Sequence, residues 1–528
     1  MKKQIRLTLN EIGLVIALAG MLFGIWLRLL PASLSPFPLN DGGLFYVMLK
    51  GLIENGFRLP QTINYNGLAV PFAYPPLPFY VGGWIAQTFD VSLLDLLRWM
   101  PAVVTALTMI AFFDLARTLL ESDFEAGLAT LVFAFIPRAL TWMLMGGGLT
   151  RSFGELFFIL SIRHIYSAFT TSRTREIVLA IIFSALVVLS HPEATLHTMG
   201  FALLAWIFKA RNIGSAKLAL MIAIGVLVLT SPWWIVMLER YGLSPYLSAA
   251  QTGDQKILDL VTVFLVAVSE EPYLTPITVL GFLGIFTALE RREYLLPAMF
   301  FFPFILEPRN AANVVIVFLA MLASLTLAPY FSSAFTVRPP GESRANTRRW
   351  GASALAIILL LTFFANAAFV ATRASNNHLS ESTLTAFDWI VHNTPPESRF
   401  VIMTGEAESF CDPVQEWFPV LTGRISQTAP QGREWLAGGT FAEYRKGLTA
   451  LQRCLETNAA CLNAQVHKMN LDYDYLYIQR KTSSRIFCVP RTEITRGGNL
   501  ILTIGMQQPA QYEQVYFTDD VAIYKRIP

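Results

Sequence analysis

The sequence predicts a polytopic α-helical membrane protein with about eleven spans, followed by a C-terminal extracytoplasmic domain of α/β or α+β type. Hydrophobic residues make up 54% of the 528-residue chain and charged residues only 15%, a composition too apolar for a soluble globule. Long apolar stretches recur up to about residue 375, and from Asn376 the chain becomes polar, with short alternating runs. We therefore divide the chain into a transmembrane domain, 1–375, and a soluble domain, 376–528.

Eleven stretches of the transmembrane domain have the length and apolar character of spanning helices. A helix needs about 20 residues to cross the ~30 Å hydrocarbon core of a bilayer. The first stretch follows a basic start, Met1 to Arg6, and we interpret it as a retained span because only a weak cleavage site follows. The stretches lie near 11–31, 98–119, 124–143, 151–169, 176–191, 194–208, 217–237, 273–290, 294–307, 311–331 and 352–372.

A further apolar segment, 72–90, is interrupted by four prolines near its start and by Gly82-Gly83. If it is interfacial or re-entrant, the Lys and Arg clusters fall on the side of the N-terminus, as the positive-inside rule requires. If it crosses together with 257–269, the chain has up to 13 spans and the turns with Arg173 and Lys209 move outside. We favour the first topology, with the N-terminus in the cytoplasm and the first extracytoplasmic loop at 32–97.

All four cysteines lie in the soluble domain: Cys411, Cys454, Cys461 and Cys488. In an oxidising compartment they can form two disulfides, with three possible connectivities. The alternative is buried free thiols. The spacing of Cys454 and Cys461, with no histidine cluster nearby, does not match a zinc site.

The first polar segment after the first span contains one acid, Asp41, within Pro38-Leu-Asn-Asp-Gly-Gly-Leu-Phe-Tyr46. An apolar periodic run follows, so one interpretation is that Asp41 caps a helix from Gly42 to Asn55. The chain then returns towards the membrane through Tyr74-Pro-Pro-Leu77. A single acid at the outer membrane boundary is also a candidate functional group.

This arrangement resembles the first extracytoplasmic loop of GT-C glycosyltransferases, and the likeness in architecture covers residues 1–372. In the protein O-mannosyltransferases and the aminoarabinose transferases of lipid A, the acid at this position is the catalytic base, so the resemblance implies that role for Asp41. Tyr46 and Tyr74 are the corresponding candidates for substrate contact. Many relatives carry Asp-Glu where this chain has Asp41-Gly42, which leaves the role of the second acid unfilled or assigned to Glu193 or another residue.

Arginines near the outer ends of the spans are candidates for binding a phosphate. Arg138 lies in the outer third of one span, and Gly146-Gly-Gly148 opens the next, which carries Arg151 and Glu155. A helix N-terminus with an arginine suits an anion. The alternative is that Arg151 and Glu155, four residues apart, pair with each other. Arg309 is the third candidate, unless it pairs with Glu307 in the same turn.

The tip of a helical hairpin carries His191 and Glu193, with His197 one turn further on. His191 is a candidate ligand for the donor phosphate, and Glu193 and Glu307 are candidates to accept hydrogen bonds from substrate hydroxyls. Helix capping and snorkelling are the alternatives. No further ligand completes a metal site with these histidines, so we expect no cofactor, with a divalent metal as the alternative.

The soluble domain shows strand patterns at 399–403, 473–478 and 521–524 and a helix pattern from Ser380 to Asn393, with Ser382 and Thr383 as candidate caps. Aromatic residues and arginines occur together at 416–424 and 432–436. These clusters suit either sugar binding or packing against the transmembrane domain.

The resemblance implies a glycosyltransferase of the plasma membrane that takes a sugar from a polyprenyl-phosphate donor, since no nucleotide sugar is expected outside. The acceptor is a hydroxyl of a lipid, glycan or protein. A lipid-linked glycan flippase and a non-catalytic assembly protein that binds envelope glycans are the alternatives. Scattered basic residues and a net charge of +3 argue against a nucleic-acid partner.

Overall fold

The structure, a computed structural model, describes residues 8–250, 268–308, 310–335, 343–437, 440–486, 488–507 and 510–527. Its N-terminal part is helical apart from one short hairpin. The elements up to residue 374 are α1 (Leu9–Leu34), α2 (Gly43–Glu54), β1 (Thr62–Tyr65), β2 (Leu68–Pro71), α3 (Leu77–Phe89), α4 (Leu93–Leu120), α5 (Asp123–Ala134), α6 (Arg138–Thr141), α7 (Gly148–Thr171), α8 (Thr174–Val188), α9 (Pro192–Lys209), α10 (Ile213–Tyr241), α11 (Ser244–Ala250), α12 (Pro276–Glu290), α13 (Leu295–Leu306), α14 (Ala311–Phe335) and α15 (Ser343–Ala374).

Five helices in the described part of the chain are long and apolar enough to cross a membrane by length and composition. They are Leu9–Leu34, Leu93–Leu120, Ile213–Tyr241, Ala311–Ser332 and Gly351–Ala374. Two shorter apolar helices, α12 and α13, accompany them. The protein is therefore a polytopic α-helical membrane protein, as the composition predicts.

Each of the eleven predicted stretches coincides with a helix, but the third differs from the prediction. The expected span 124–143 is the 12-residue helix α5, which ends at Ala134, followed by a break and the single turn α6. Pro137 explains the break, since proline removes a backbone donor and disfavours helix at the preceding residue. The interrupted segment 72–90 forms α3, whose 13 residues span only about 20 Å.

The centre of the bundle is α14, whose apolar window is 83% buried inside the protein. Around it, helices approach closely where small residues face each other. A Cβ atom placed on Gly13 of α1 would lie 2.4 Å from the carbonyl oxygen of Asp123, and one on Gly127 of α5 would lie 2.2 Å from the carbonyl oxygen of Gly13. Small residues at helix interfaces let backbones pack closely where lipid gives no hydrophobic drive for association.

The C-terminal region, residues 376–528, is an α/β unit. Its elements are α16 (Glu381–Asn393), β3 (Arg399–Met403), α17 (Pro413–Thr422), β4 (Ile425–Ser426), α18 (Phe441–Arg453), α19 (Ala459–Lys468), β5 (Tyr475–Gln479), β6 (Lys481–Ile486), β7 (Val489–Thr495), α20 (Gly498–Gln507), β8 (Tyr512–Phe517) and β9 (Val521–Arg526).

Five of these strands form one mixed sheet in the order β4-β3-β5-β9-β8. β3 pairs in parallel with β4 and β5, with Phe400 opposite Tyr475, and β9 runs antiparallel to β5 and β8. The three predicted strands are β3, β5 and β9, and the predicted helix is α16. The N-cap of that helix is Ser380, and not Ser382 or Thr383 as predicted. The hydroxyl of Ser380 accepts from the amide of Thr383.

Candidate active site

The segment between α1 and α2 is held by the C-terminal region. Asn40 is fully buried, donates from Nδ2 to the carbonyl oxygen of Phe410 at 2.8 Å, and accepts at Oδ1 from Asn377 Nδ2 at 3.2 Å. The indole nitrogen of Trp417 donates to the carbonyl oxygen of Asn40 at 3.1 Å. Burial with every polar group paired fixes one conformation at Asn40, and therefore fixes where the next residue, Asp41, points.

The carboxylate of Asp41 is bound by the start of α7. Its Oδ1 accepts from the backbone amide of Gly147 at 2.8 Å, and its Oδ2 lies 3.1 Å from the guanidinium of Arg151. The two side chains are 16% and 23% exposed, so the pair is reachable but poorly hydrated. A helix N-terminus and a guanidinium both favour a negative charge. The anion at this helix start is thus a carboxylate of the protein, where the sequence predicts a phosphate site.

The Gly146-Gly-Gly148 turn is required by this close approach. A Cβ atom on Gly146 would lie 2.0 Å from the carbonyl oxygen of Asp41, and one on Gly147 would lie 2.4 Å from Asp41 Oδ2. A side chain at Gly146 would therefore displace the backbone of Asp41, and one at Gly147 would displace its carboxylate.

Arg151 does not pair with Glu155, although their spacing of four residues allows such a pair. Its second nitrogen donates to the carbonyl oxygen of Trp142 at 2.8 Å, and its guanidinium lies 5.5 Å from that indole ring. Glu155 is buried and has no hydrogen-bond partner among the described residues. It interacts electrostatically with the buried Arg28 of α1.

Glu416 is the residue of the site that sequence reasoning missed. It begins the aromatic cluster of α17, and its Oε1 accepts from the backbone amides of Gly42 and Leu44, both at 3.1 Å. The N-cap of α2 is Gly42, which offers no side chain, and Asp41 does not cap this helix. Burial, and then the charge of Asp41, raise the pKa of Glu416 to about 8. No local pattern signals this contact, because 374 residues separate Glu416 from Gly42.

The histidines lie beside this site. His191 is the N-cap of α9, and its ring nitrogens lie 3.4 Å from the Ala194 amide and 4.0 Å from the carboxylate of Glu193. Burial, with a smaller effect from the charge of Arg151, lowers the pKa of His191 to about 3, so the ring is neutral near pH 7. His197 lies 3.9 Å from the carboxylate of Glu307. No group of three His, Cys, Asp or Glu side chains among the described residues is arranged to hold a metal ion.

Arg138 lies in a separate buried cluster. Its guanidinium is 2.8 Å from the carboxylate of Glu270 and donates to Asn313 Oδ1 at 2.7 Å. Glu270 also accepts from the hydroxyl of Thr141 at 2.7 Å. The guanidinium of Arg138 is therefore already engaged in a buried ion pair. Arg309 falls outside the described residues.

Tyr46 and Tyr74 lie on the wall between the first loop and the C-terminal region. The ring of Tyr46 lies 6.1 Å from that of Trp417, and the ring of Tyr74 packs edge-on at 5.2 Å from Trp435. A cavity of about 710 Å³ opens beside Tyr46. Its lining is mostly polar and comprises Tyr46, Val47, Lys50, Gly51, Glu54, Asn55, Pro60, Gln61, Thr62, Ile63, Asn64, Pro419 and Val420.

The four cysteines form two disulfides, Cys411–Cys488 and Cys454–Cys461. The first packs against Met145, next to the glycine turn. Asn377, which also binds Asn40, donates to the carbonyl oxygen of Cys488 at 3.0 Å. This disulfide therefore ties together the backbone that positions Asp41, whereas Cys454–Cys461 links α19 to the turn before it.

Comparison with solved structures places the fold among known membrane proteins. The chain is similar to ArnT from Cupriavidus metallidurans in the apo state, with a TM-score of 0.54, 13% identity and coverage of 97% of this chain and 98% of ArnT. The ArnT structure bound to undecaprenyl phosphate gives a TM-score of 0.51 at 12% identity, with the same coverage.

Two further likenesses involve longer proteins. The oligosaccharyltransferase of Archaeoglobus fulgidus, solved with Zn and sulfate, has a TM-score of 0.53 at 15% identity, covering 88% of this chain and 68% of that one. The mycobacterial arabinofuranosyltransferase AftD has a TM-score of 0.50 at 14% identity, covering 99% of this chain and 40% of AftD. No family model and no curated protein matches the sequence. The oligosaccharyltransferase, ArnT and AftD are GT-C glycosyltransferases, and the chain shares their fold.

Proposed function

We propose that this protein is a glycosyltransferase that moves a sugar from a polyprenyl-phosphate donor to an acceptor hydroxyl at the extracytoplasmic face of the membrane. The contact between Asp41 and Arg151 carries the proposal, because it brings a base and a cation together at the outer end of the helices of a GT-C fold. The ArnT complex with undecaprenyl phosphate supports a lipid-linked donor for this architecture.

In the proposed reaction, Asp41 accepts the proton of the acceptor hydroxyl while the hydroxyl oxygen attacks the anomeric carbon of the donor. The bond between that carbon and the phosphate oxygen breaks, and its electron pair leaves with the polyprenyl phosphate. The phosphate changes from a diester with one negative charge to a monoester with two. A direct displacement of this kind inverts the anomeric configuration.

Arg151 is suited to stabilise the charge that develops on the leaving phosphate, since its guanidinium presents several donors in a fixed plane. His191, neutral and close enough to feel the charge of Arg151, offers a second polar contact. Arg309 remains a proposed phosphate ligand on sequence grounds alone. Arg138 is better explained as the partner of Glu270. We propose no metal-dependent step.

The acceptor is proposed to use the polar cavity beside Tyr46. Its amides, hydroxyl and the exposed pair Lys50 and Glu54 suit a hydroxyl-rich molecule, and both the first loop and the C-terminal region contribute to it. Residues 376–528 are proposed as a separate extracytoplasmic domain, with the N-terminus in the cytoplasm, because the positive-inside rule and the two disulfides agree on that orientation.

The test is release of undecaprenyl phosphate by the purified protein in nanodiscs, from a panel of radiolabelled undecaprenyl-phosphate sugars that includes aminoarabinose, arabinofuranose and mannose. We expect one donor to turn over, and Asp41→Asn to abolish turnover while it binds undecaprenyl phosphate at least as tightly as the parent protein does. Full activity in Asp41→Asn refutes the base. Transbilayer movement of intact donor, with no release from any panel member, favours the flippase.

A further inference from the structure

We propose that Glu416, from the C-terminal region, is a positioning residue for Asp41: it caps α2 so that the Asp41 carboxylate is left to Gly147 and Arg151. The consequence is that residues 376–528 complete the catalytic site and do more than cover it. The catalytic part of this inference rests on the proposed function, but the geometric part does not.

The first step concerns the amides at the start of α2. The opening amides of a helix lack partners within the helix and are usually satisfied by a capping side chain. Asp41 is placed to cap α2 by sequence, but both of its oxygens are used elsewhere, one by the Gly147 amide and one by Arg151. Glu416 supplies the missing acceptor, with a single oxygen 3.1 Å from the amides of both Gly42 and Leu44.

The second step is that the backbone after Asp41 lies between two other segments. Gly42 has φ +123°, and a Cβ atom there would lie 3.0 Å from the Cα atom of Gly146. A Cβ atom on Gly43 would lie 2.7 Å from the carbonyl oxygen of Glu416. Neither glycine position has room for a side chain, so the acceptor for these amides has to come from another segment of the chain.

The third step is that Glu416 is itself held in place. Its carbonyl oxygen accepts from the hydroxyl of Tyr65 at 2.8 Å, and the next residue, Trp417, donates to Asn40. Trp417 is fully buried and packs edge-on against Phe37, 4.9 Å away. Residues 416 and 417 therefore hold the backbone on both sides of Asp41. Trp417 binds the carbonyl oxygen of Asn40, and Glu416 binds the amide of Gly42.

Glu416 is an ionisable cap, so its effect on Asp41 depends on pH. Glu416 is only 4% exposed and lies near enough to Asp41 for the two charges to interact, and burial together with that charge raises the pKa of Glu416 to about 8. Below that pH the cap is the neutral acid, which leaves Asp41 as the negative charge next to Arg151. Above it, a second negative charge forms beside the base. Among the residues that the structure describes, the other titratable groups that interact with this pair are Glu434, Tyr65 and Arg151.

The test compares Glu416→Gln, which keeps an acceptor oxygen but cannot ionise, with Glu416→Ala, which removes the acceptor. Glu443→Ala on the exposed face of α18 is the control. We expect Glu416→Ala to lower kcat by about 10-fold to 100-fold, since a ~1 Å misplacement costs that much, with affinity for undecaprenyl phosphate unchanged. Glu416→Gln should keep kcat at pH 7 and lose less activity than the parent protein when the pH is raised above 8.

Amide hydrogen exchange of the segment 40–46 is measured on the same variants in nanodiscs and needs no substrate. We expect faster exchange there in Glu416→Ala than in Glu416→Gln, with the segment unchanged in Glu443→Ala. Equal exchange and equal kcat in Glu416→Ala and the parent protein overturn the proposal. So does a Glu416→Gln variant as impaired as Glu416→Ala in both readouts. If the parent protein releases no undecaprenyl phosphate from any donor, the proposed function fails, and the exchange data alone decide whether Glu416 holds the segment.

Discussion

The guanidinium of Arg151 lies 3.1 Å from the carboxylate of Asp41, across 110 residues of sequence. Each side chain thereby neutralises the other in a poorly hydrated place, where an unpaired charge is costly. A donor phosphate that binds Arg151 competes with Asp41 for its donors. In the proposed reaction, donor binding releases Asp41 to accept a proton, which would link occupancy of the proposed phosphate site to the activity of the proposed base.

Replacing Arg151 tests its assignment to the phosphate. We expect Arg151→Gln to lower kcat/KM for the donor by about 100-fold, the usual cost of one lost donor to a developing charge. Arg151→Lys should fall between, because lysine keeps the charge but loses the planar fork. Steady-state release of undecaprenyl phosphate measures both. Arg175→Gln, at an exposed position, should match the parent protein, and an active Arg151→Gln variant would show that the phosphate is bound elsewhere.

The glycine turn is expected to tolerate no side chain at position 147. Its Cβ atom would fall 2.4 Å from Asp41 Oδ2, so Gly147→Ala should push the carboxylate away and reduce kcat by about 100-fold. Gly351→Ala is the matched control, since its Cβ atom meets nothing within 4 Å. Turnover assays with both variants decide the point. Normal turnover in Gly147→Ala would mean that the carboxylate position is not critical.

The two disulfides should differ in their effect on activity. Loop entropy alone predicts a loss of about 4.5 kcal/mol for opening the 77-residue Cys411–Cys488 loop, against about 2.4 kcal/mol for the 7-residue Cys454–Cys461 loop. Only the first packs beside the glycine turn. The Cys411→Ser/Cys488→Ser variant should therefore lose more thermal stability and more turnover than Cys454→Ser/Cys461→Ser. The reverse order in either measurement contradicts the bracing role of Cys411–Cys488.

Arg138 is expected to act on stability. Arg138→Gln leaves the Glu270 carboxylate buried without its cation, which costs about 3–5 kcal/mol for a buried pair. The double variant Arg138→Gln/Glu270→Gln should recover most of that loss, because no buried charge remains unpaired. Thermal melts of the three proteins in the same detergent measure this. If the double variant is stable but binds undecaprenyl phosphate at least tenfold more weakly, the result supports Arg138 as a phosphate ligand.

The raised pKa of Glu416 predicts a pH-dependent stability. The native state holds the proton on Glu416 up to about pH 8, whereas the unfolded chain releases it near 4.5. The native state therefore binds more protons between these values, and the stabilisation present below pH 4.5 is lost as the pH rises to about 8. Relative to Glu416→Gln, the apparent melting temperature of the parent protein should fall by several degrees between pH 5 and pH 8.5. A constant difference would mean an ordinary pKa at Glu416.

Hydropathy located eleven of the described helices, because the cost of placing unpaired backbone groups or charges in lipid leaves few solutions for an apolar run of this length. It did not locate the end of α5, where Pro137 and a single helical turn replace a continuous span. The short strands β3, β5 and β9 were recognisable from alternation, whereas the first-loop hairpin β1-β2 carried no comparable signal and was not predicted.

The sequence by itself determined a helical membrane protein with a polar C-terminal region and an isolated acid, Asp41, after the first span, since these are properties of composition and local order. Only the tertiary structure decided what Asp41 touches. Its partners Gly147 and Arg151, and the cap Glu416, lie more than a hundred residues away, and such contacts depend on how helices and sheet pack together. The same packing replaced two local interactions that the sequence suggests. Arg151 does not bind Glu155, and Asp41 does not cap the helix that follows it.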